Sequence, residues 1–200
     1  MAIDGAVSMV ADPNDETALA NLSDEILAAG APTLCINAIG ILSDGDRVRP
    51  ERSYRTQTRA AFEQVFAVNT IIPALIAKHI IPLMPRDERA VFASLSARVG
   101  SISDNRLGGW HAYRASKAAL NMLIKNYSVE QARRSKHFIA VGLHPGTVDT
   151  ELSEPFQKNV PPEKLFTPAQ SATYLLSVID GLTPQDSGKV FDWAGKEVPA

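Results

Sequence analysis

A tyrosine and a lysine stand four residues apart at the predicted start of a helix. Tyr113 and Lys117 therefore project from one face of that helix. A nearby ammonium favours the phenolate and lowers the pKa of a phenol from its ordinary value of about 10. A phenol adjusted in this way can pass a proton to or from a carbonyl oxygen. The alternative is a packed tyrosine next to a solvated lysine, and the spacing alone does not decide between the two.

Three further polar side chains lie where a ligand could meet them. Ser94 and Ser96 share a face at a strand end, where a hydroxyl can bind a substrate oxygen or finish the strand by bonding local backbone. Asn69 lies in a predicted helix close to Pro73, although asparagine is a poor helix former. It either satisfies backbone groups opened by the proline or holds a water.

A Pro-Gly turn follows the predicted strand over 138–143. Pro145 and Gly146 are first a turn signal. The turn could present the Val148 backbone and the Thr150 hydroxyl to a planar amide ligand. The four histidines and the single cysteine show no metal-ligand spacing, so we expect no metal site and interpret Cys35 as a core residue.

Composition limits the classes of protein to consider. The chain has 200 residues, 45% of them apolar and 21% charged, which predicts a single globular domain over 1–200. A net charge of −2 argues against nucleic acid as a partner. One cysteine and no basic leader predict a cytoplasmic protein, and the longest apolar stretch, over 71–84, is too interrupted to predict a membrane span.

The elements that must position these residues alternate along the chain. We predict strands at 6–11, 33–37, 90–95, 138–143 and 189–193. Helices are predicted at about 15–30, 56–83 with a kink at Pro73, 112–133 and 169–179, and a Pro-broken lid at 151–168. Strands that are apolar throughout predict a Rossmann-like α/β fold, a three-layer parallel sheet with helices on both faces. Ligands of such sheets bind at the carboxyl ends of the strands.

Several motifs, in this order, resemble the short-chain dehydrogenase/reductase family. They are the Asn37-Ala38-Ile39-Gly40 turn, the helix asparagine Asn69, the Tyr113 and Lys117 pair, and the turn from Pro145 to Thr150. Residues 95–102 and 108–121 are especially similar to the C-factor and sniffer-like carbonyl reductase subgroup. The resemblance covers nearly the whole chain, from about Ala6 to Trp193.

The resemblance implies an enzyme that reduces a small-molecule carbonyl to an alcohol, or the reverse, with NADP or NAD. Tyr113 would donate the proton, Lys117 would lower its pKa and bind the nicotinamide ribose, and Asn69 would position a relay water. Ser96 would hold the carbonyl, with Ser94 in reserve. The implied cofactor-binding residues are Asp12 at the adenine, Asn37, Ala38, Gly40, Tyr113, Lys117, Pro145, Gly146, Val148 and Thr150. A homodimer is also expected, because family members commonly pair their long helices.

Two departures from the family pattern bear on activity. Most members have a serine where Ala97 stands, three residues before Gly100. The family's first strand, glycine-rich turn, helix and second strand have no counterpart before Ala6, so we expect weak or absent cofactor binding. Three explanations are open for the missing segment. The protein is longer than this chain, the strand at 6–11 pairs with the exposed sheet edge, or two chains cover each other's exposed edge. The alternative function is a catalytically silent member that acts as a binding or interaction protein.

Overall fold

Strands and helices alternate along the chain, as the apolar patterning predicts. The computed structural model describes residues 5–45 and 47–200, without the side chain of Asn159. The helices are α1 (Glu16–Ala29), α2 (Arg59–Phe66), α3 (Ile72–Ile80), α4 (His111–Gln131) and α5 (Pro168–Gly181). The strands are β1 (Leu34–Asn37), β2 (Ala90–Leu95), β3 (Phe138–His144), β4 (Thr147–Val148), β5 (Leu165–Phe166), β6 (Val190–Asp192) and β7 (Glu197–Val198).

The main sheet has the order β1-β2-β3-β6-β7, and its first four strands run parallel. β7 pairs antiparallel with β6, while β4 and β5 form a separate two-stranded sheet. Asn37 lies beside Ser94, and Ser94 beside Gly142, so polar groups meet at the carboxyl ends of the strands. β1 is an edge strand of the described sheet, and Leu34 and Ile36 are 41% and 42% exposed there.

Side chains that alternate along β2 and β3 form two apolar cores. Phe92 and Ala140 pack under α3 and α4, against Leu120 and Ile124. Their neighbours Val91 and Ile139 face the other way and pack under α5. Helices therefore cover both faces of a parallel sheet, which confirms the predicted Rossmann-like α/β class.

The predicted first strand is wrong. Residues 6–11 form no strand, and Val7 and Val10 are 77% and 101% exposed. A strand is stable only when a neighbour takes up its hydrogen bonds, and this segment does not pair with the β1 edge. The helix after it is confirmed: the Asp15 carboxylate accepts the Thr17 N–H at the start of α1, and Gly30 ends that helix.

The long helix predicted over 56–83 is continuous from Arg59 but changes its winding midway. A π-helical segment, Ala67–Ile71, joins α2 to α3 immediately before Pro73. Such segments are frequent at functional sites. By length and composition alone the run Arg59–Leu83 could cross a membrane, but the core helices of water-soluble proteins pass the same test. Here α3 packs on the sheet through Ala77 and Ile80.

The predicted lid consists of two 3₁₀ turns, Glu154–Asn159 and Pro162–Lys164, followed by β5. Pairing of Val148 with Phe166 ties the end of the lid back to the turn after β3. The sequence did not predict this short pairing, nor β7. Two-residue strands carry no periodic signal.

Candidate active site

Close packing against a glycine turn sets the position of Lys117. Gly100 ends the 3₁₀ turn after β2, and a Cβ on it would lie 2.8 Å from the Lys117 Cβ and 2.9 Å from the Lys117 carbonyl carbon. α4 therefore passes directly over the carboxyl end of β2. The Lys117 ammonium donates to the Leu95 carbonyl at 2.8 Å.

Tyr113 lies one helical turn before Lys117. The Lys117 Nζ is 5.8 Å from the centroid of the Tyr113 ring. Burial raises the pKa of the Tyr113 phenol to about 12 and lowers the pKa of the Lys117 ammonium to about 8. Burial thus moves the Tyr113 pKa in the direction opposite to the expected lowering, while the Lys117 ammonium is bonded to the Leu95 carbonyl.

Asn69 is fully buried within the π-helical segment. Its Oδ1 accepts the Ile41 N–H at 2.7 Å, and its Nδ2 donates to the Ile41 carbonyl at 2.9 Å and to the Ser116 hydroxyl at 3.1 Å. The side chain thus fastens the loop after β1 to α4. Gly40 lies in that loop, and a Cβ there would be 3.3 Å from the Lys117 Nζ and 3.4 Å from the Asn69 Oδ1. The structure brings Gly40, Asn69 and Lys117 together.

The two candidate serines around the end of β2 lie in different surroundings. The Ser96 hydroxyl donates to the Asn121 Oδ1 at 2.6 Å, so its single proton is already used. Ser94 is buried, and its hydroxyl has no partner among the described residues. The same is true of the Asn37 amide nitrogen on the neighbouring strand. Ala97 has no polar side-chain atom, although it lines the cavity described below.

The turn after β3 is held in place by β5 and α5. Gly146 has φ +76°, and a Cβ on it would meet the Phe166 ring at 2.7 Å, so only glycine fits. The Ser171 hydroxyl on α5 donates to the Pro145 carbonyl at 3.0 Å. The Val148 carbonyl accepts from the Thr150 hydroxyl at 3.3 Å and also from Ser153.

A cavity of about 1010 Å³ opens where these elements meet. It is lined by seven of the predicted site residues: Ala38, Ser96, Tyr113, Pro145, Gly146, Val148 and Thr150. Asn37, Gly40, Asn69 and Lys117 are not part of its lining. Asp12 lies apart, in the exposed turn before α1, where its carboxylate accepts from the Asn14 backbone and side chain. The binding roles of these residues stay predictions.

Two residues of this region were not predicted, Trp110 and Glu51. Trp110 lines the cavity, and its ring centroid lies 5.0 Å from that of Phe156 in the predicted lid. Glu51 is buried beside the start of α4, where its carboxylate accepts the Ala112 N–H. A tryptophan between a double glycine and the candidate tyrosine was the only local signal available. Glu51 gave none, because it stands among arginines in a polar stretch.

Comparison with known proteins decides the family. The sequence profile of the family described as enoyl-(acyl carrier protein) reductase matches residues 2–179. The protein named C-signal of Myxococcus xanthus is 36% identical over 140 residues, which are 70% of this chain and 79% of that protein. The chain belongs to the short-chain dehydrogenase/reductase family. It is therefore a member of a family of NAD(P)-dependent oxidoreductases.

Other relatives of the family agree with the fold. A Rhodococcus 1-hydroxy-2-glutathionyl-2-methyl-3-butene dehydrogenase is 37% identical over 122 residues, which are 61% of this chain and 51% of that protein. The carbonyl reductase Sniffer of D. melanogaster superposes with a TM-score of 0.81 at 24% identity, over 96% of this chain and 77% of that one. An NADPH-bound carbonyl reductase from chicken fatty liver superposes with a TM-score of 0.77 at 25% identity, over 95% of this chain and 75% of that one.

The residues present fit one end of the cofactor that this family uses. The turn with Pro145, Gly146 and Val148 borders the same cavity as Tyr113, so a planar ring bound against that turn would lie beside the phenol. A pyrophosphate usually binds at a helix N-terminus. In the described chain the N-termini of α1, α2 and α5 are capped by Asp15, Thr58 and Thr167, and that of α4 by Glu51. Among the described residues, no three His, Cys, Asp or Glu side chains lie close enough together to form a metal site.

Proposed function

We propose that the chain reduces a small carbonyl compound to an alcohol with NADPH or NADH. The observation that carries this proposal is that the Tyr113 phenol lines the same cavity as the turn Pro145–Thr150, with the Lys117 ammonium 5.8 Å from its ring. A proton donor and a surface for a planar ring thus share one site. The bound cofactor supplies a hydride to the carbonyl carbon.

The protein's part in this reaction is to bind, orient and supply a proton. Tyr113, with its pKa raised to about 12, is protonated at neutral pH and donates its proton to the carbonyl oxygen. The Lys117 ammonium stabilises the phenolate that this transfer leaves. Asn69 holds the loop with Gly40 against Lys117, so that a ribose can lie beside the ammonium. The apolar walls of the cavity exclude water from the reacting atoms.

Replacement of Tyr113 by phenylalanine tests the proposal. We expect Tyr113→Phe to lower the rate of NADPH oxidation by an aldehyde panel about 100- to 10,000-fold, because it removes the proton donor. The unfolding midpoint in urea should stay within error of the wild type. Tyr174→Phe is the matched control, since Tyr174 packs on Phe166 and Trp193 outside the cavity. Comparable rates in the two variants would refute the assignment.

We further propose that this chain binds the cofactor weakly. A carboxylate at the N-termini of α1 and α4 opposes the binding of a pyrophosphate there. We expect an NADPH dissociation constant weaker than about 0.1 mM in a fluorescence titration. A micromolar constant would contradict this expectation. No binding at all, together with no turnover, would favour the catalytically silent alternative.

A further inference from the structure

Trp110 has a backbone conformation that a bulky residue rarely adopts. Its φ and ψ are 50° and 44°, and it is the only residue other than glycine with positive φ in the described ranges. Strain of this kind persists only where the surroundings enforce it, and it gathers at functional sites. In Trp110 this conformation is held by contacts with Glu51, and it places the indole in the cavity.

Glu51 holds the segment on both sides of Trp110. The Glu51 carbonyl accepts the Trp110 N–H at 2.6 Å. Its carboxylate oxygens lie 3.3 and 3.4 Å from the Ala112 N–H nitrogen at the start of α4. The glutamate is 5% exposed, and a Cβ on Gly109 would already lie 3.3 Å from its carbonyl oxygen. One buried residue thus fixes the chain before and after the tryptophan.

The left-handed turn aims the indole into the cavity between the proton donor and the lid. The Trp110 ring lies edge-on to Tyr113, with centroids 6.2 Å apart and planes at 76°. It meets Phe156 of the lid at 5.0 Å and 63°. Leu107 and Leu152 continue this wall, and all five side chains line the cavity. These five side chains give the cavity an aromatic and aliphatic wall beside the phenol, and Arg106 and Arg114 also line the cavity.

We propose that Trp110 is a specificity-determining residue that favours carbonyl compounds with a planar aromatic group, and that Glu51 is its positioning residue. Aromatic rings prefer edge-to-face and offset partners, which a saturated ring of equal carbon skeleton cannot supply. As a preference among substrates this inference rests on the proposed function. As a preference among ligands it can be measured without turnover.

Two ketones of one carbon skeleton test the proposal, acetophenone and cyclohexyl methyl ketone. Ligand-observed NMR titration of the whole chain gives both dissociation constants, with and without NADPH. We expect the wild type to bind acetophenone roughly three- to tenfold more tightly. In Trp110→Gly that ratio should fall to within about twofold of one, and Trp110→Phe should keep part of it. The glycine variant should fold well, because glycine adopts positive φ freely.

The positioning role of Glu51 is tested by Glu51→Gln. The amide oxygen accepts the Ala112 N–H more weakly than a carboxylate does, so the affinity ratio should fall at least about twofold. Glu63→Gln is the matched control, because Glu63 is exposed and pairs with Arg59 within its own helix, and it should leave the ratio unchanged. A general loss of stability weakens the binding of both ketones equally and does not move the ratio.

The possible outcomes separate this inference from the proposed function. Equal wild-type affinities, or an unchanged ratio in Trp110→Gly, overturn the role of Trp110. An unchanged ratio in Glu51→Gln overturns the positioning role. If the ratios behave as expected but neither ketone oxidises NADPH or NADH, the specificity inference stands and the proposed function fails. If a ketone is turned over but the wild-type affinity ratio is near one, the proposed function stands and the specificity inference fails.

Discussion

At the scale of single residues, the protonation state of Lys117 sets the pH range in which the site can work. Burial lowers the pKa of its ammonium to about 8, whereas burial raises the pKa of Tyr113 to about 12. Between these two values the phenol keeps its proton while the lysine loses its charge. The neutral amine stabilises a phenolate less than the ammonium does. The lysine, and not the tyrosine, should therefore limit the reaction at high pH.

The pH profile of carbonyl reduction follows from this difference. We expect kcat/KM to be highest below about pH 8 and to fall as the pH rises through that value, because kcat/KM reports the pKa of groups in the free enzyme. Lys117→Arg should move the descending limb to higher pH, since a guanidinium keeps its proton. A profile that stays flat from about pH 7 to 10 would show that the charge of Lys117 is not required.

At the scale of elements, the close approach of α4 to the end of β2 depends on Gly100. A methyl group there would overlap both the Lys117 Cβ and its backbone. We expect Gly100→Ala to reduce the free energy of unfolding by about 1–3 kcal/mol and to lower activity by displacing Lys117. Urea unfolding followed by circular dichroism measures the first effect.

Gly181→Ala is the matched control for that substitution. Gly181 is the last residue of α5, and a Cβ on it meets nothing within 4 Å. Because alanine is the better helix former, we expect this variant to be as stable as the wild type or up to about 1 kcal/mol more stable. An equal loss of unfolding free energy in the two variants would show that the packing of Gly100 on α4 does not cause the loss in Gly100→Ala.

Elements with a local signal were predictable from the sequence. β2 and β3 are apolar except for Ser94 and His144, and the packing face of α4 repeats at helical spacing, so their type and approximate bounds follow from the apolar pattern. Other features depend on partners distant in the chain. Glu51 bonds to Ala112 across 61 positions, and the engagement of Ser96 with Asn121 depends on how α4 crosses the strand end. Tertiary contacts of this kind leave no periodic trace.

At the scale of the whole molecule, we expect the unpaired side of β1 to be a surface for association. Leu34 and Ile36 are exposed on the edge strand of the described sheet. Exposed apolar edges pair readily with other chains. The resemblance predicted both the apolar strand and its exposed edge but left open whether residues 6–11 would pair with it, and the structure leaves them unpaired.

A charge on that edge tests its role in association. We expect the wild type to self-associate as its concentration rises, and Leu34→Lys to weaken that association by about tenfold or more, because a lysine opposes edge-to-edge pairing. Sedimentation velocity measures the effect. Tyr54→Lys adds the same charge at an exposed position outside the sheet and should change little. Equal association of the two variants would exclude the β1 edge as the contact.

The same edge strand carries the one thiol of the chain. Cys35 lies between Leu34 and Ile36 but points under α3, and burial raises the pKa of its thiol to about 11. At neutral pH almost none of this partly buried thiol is thiolate, so alkylation of the folded chain is slow and should speed up when β1 detaches from β2. The rate of labelling therefore reports how often this edge of the sheet opens, at a thiol that the chain already carries.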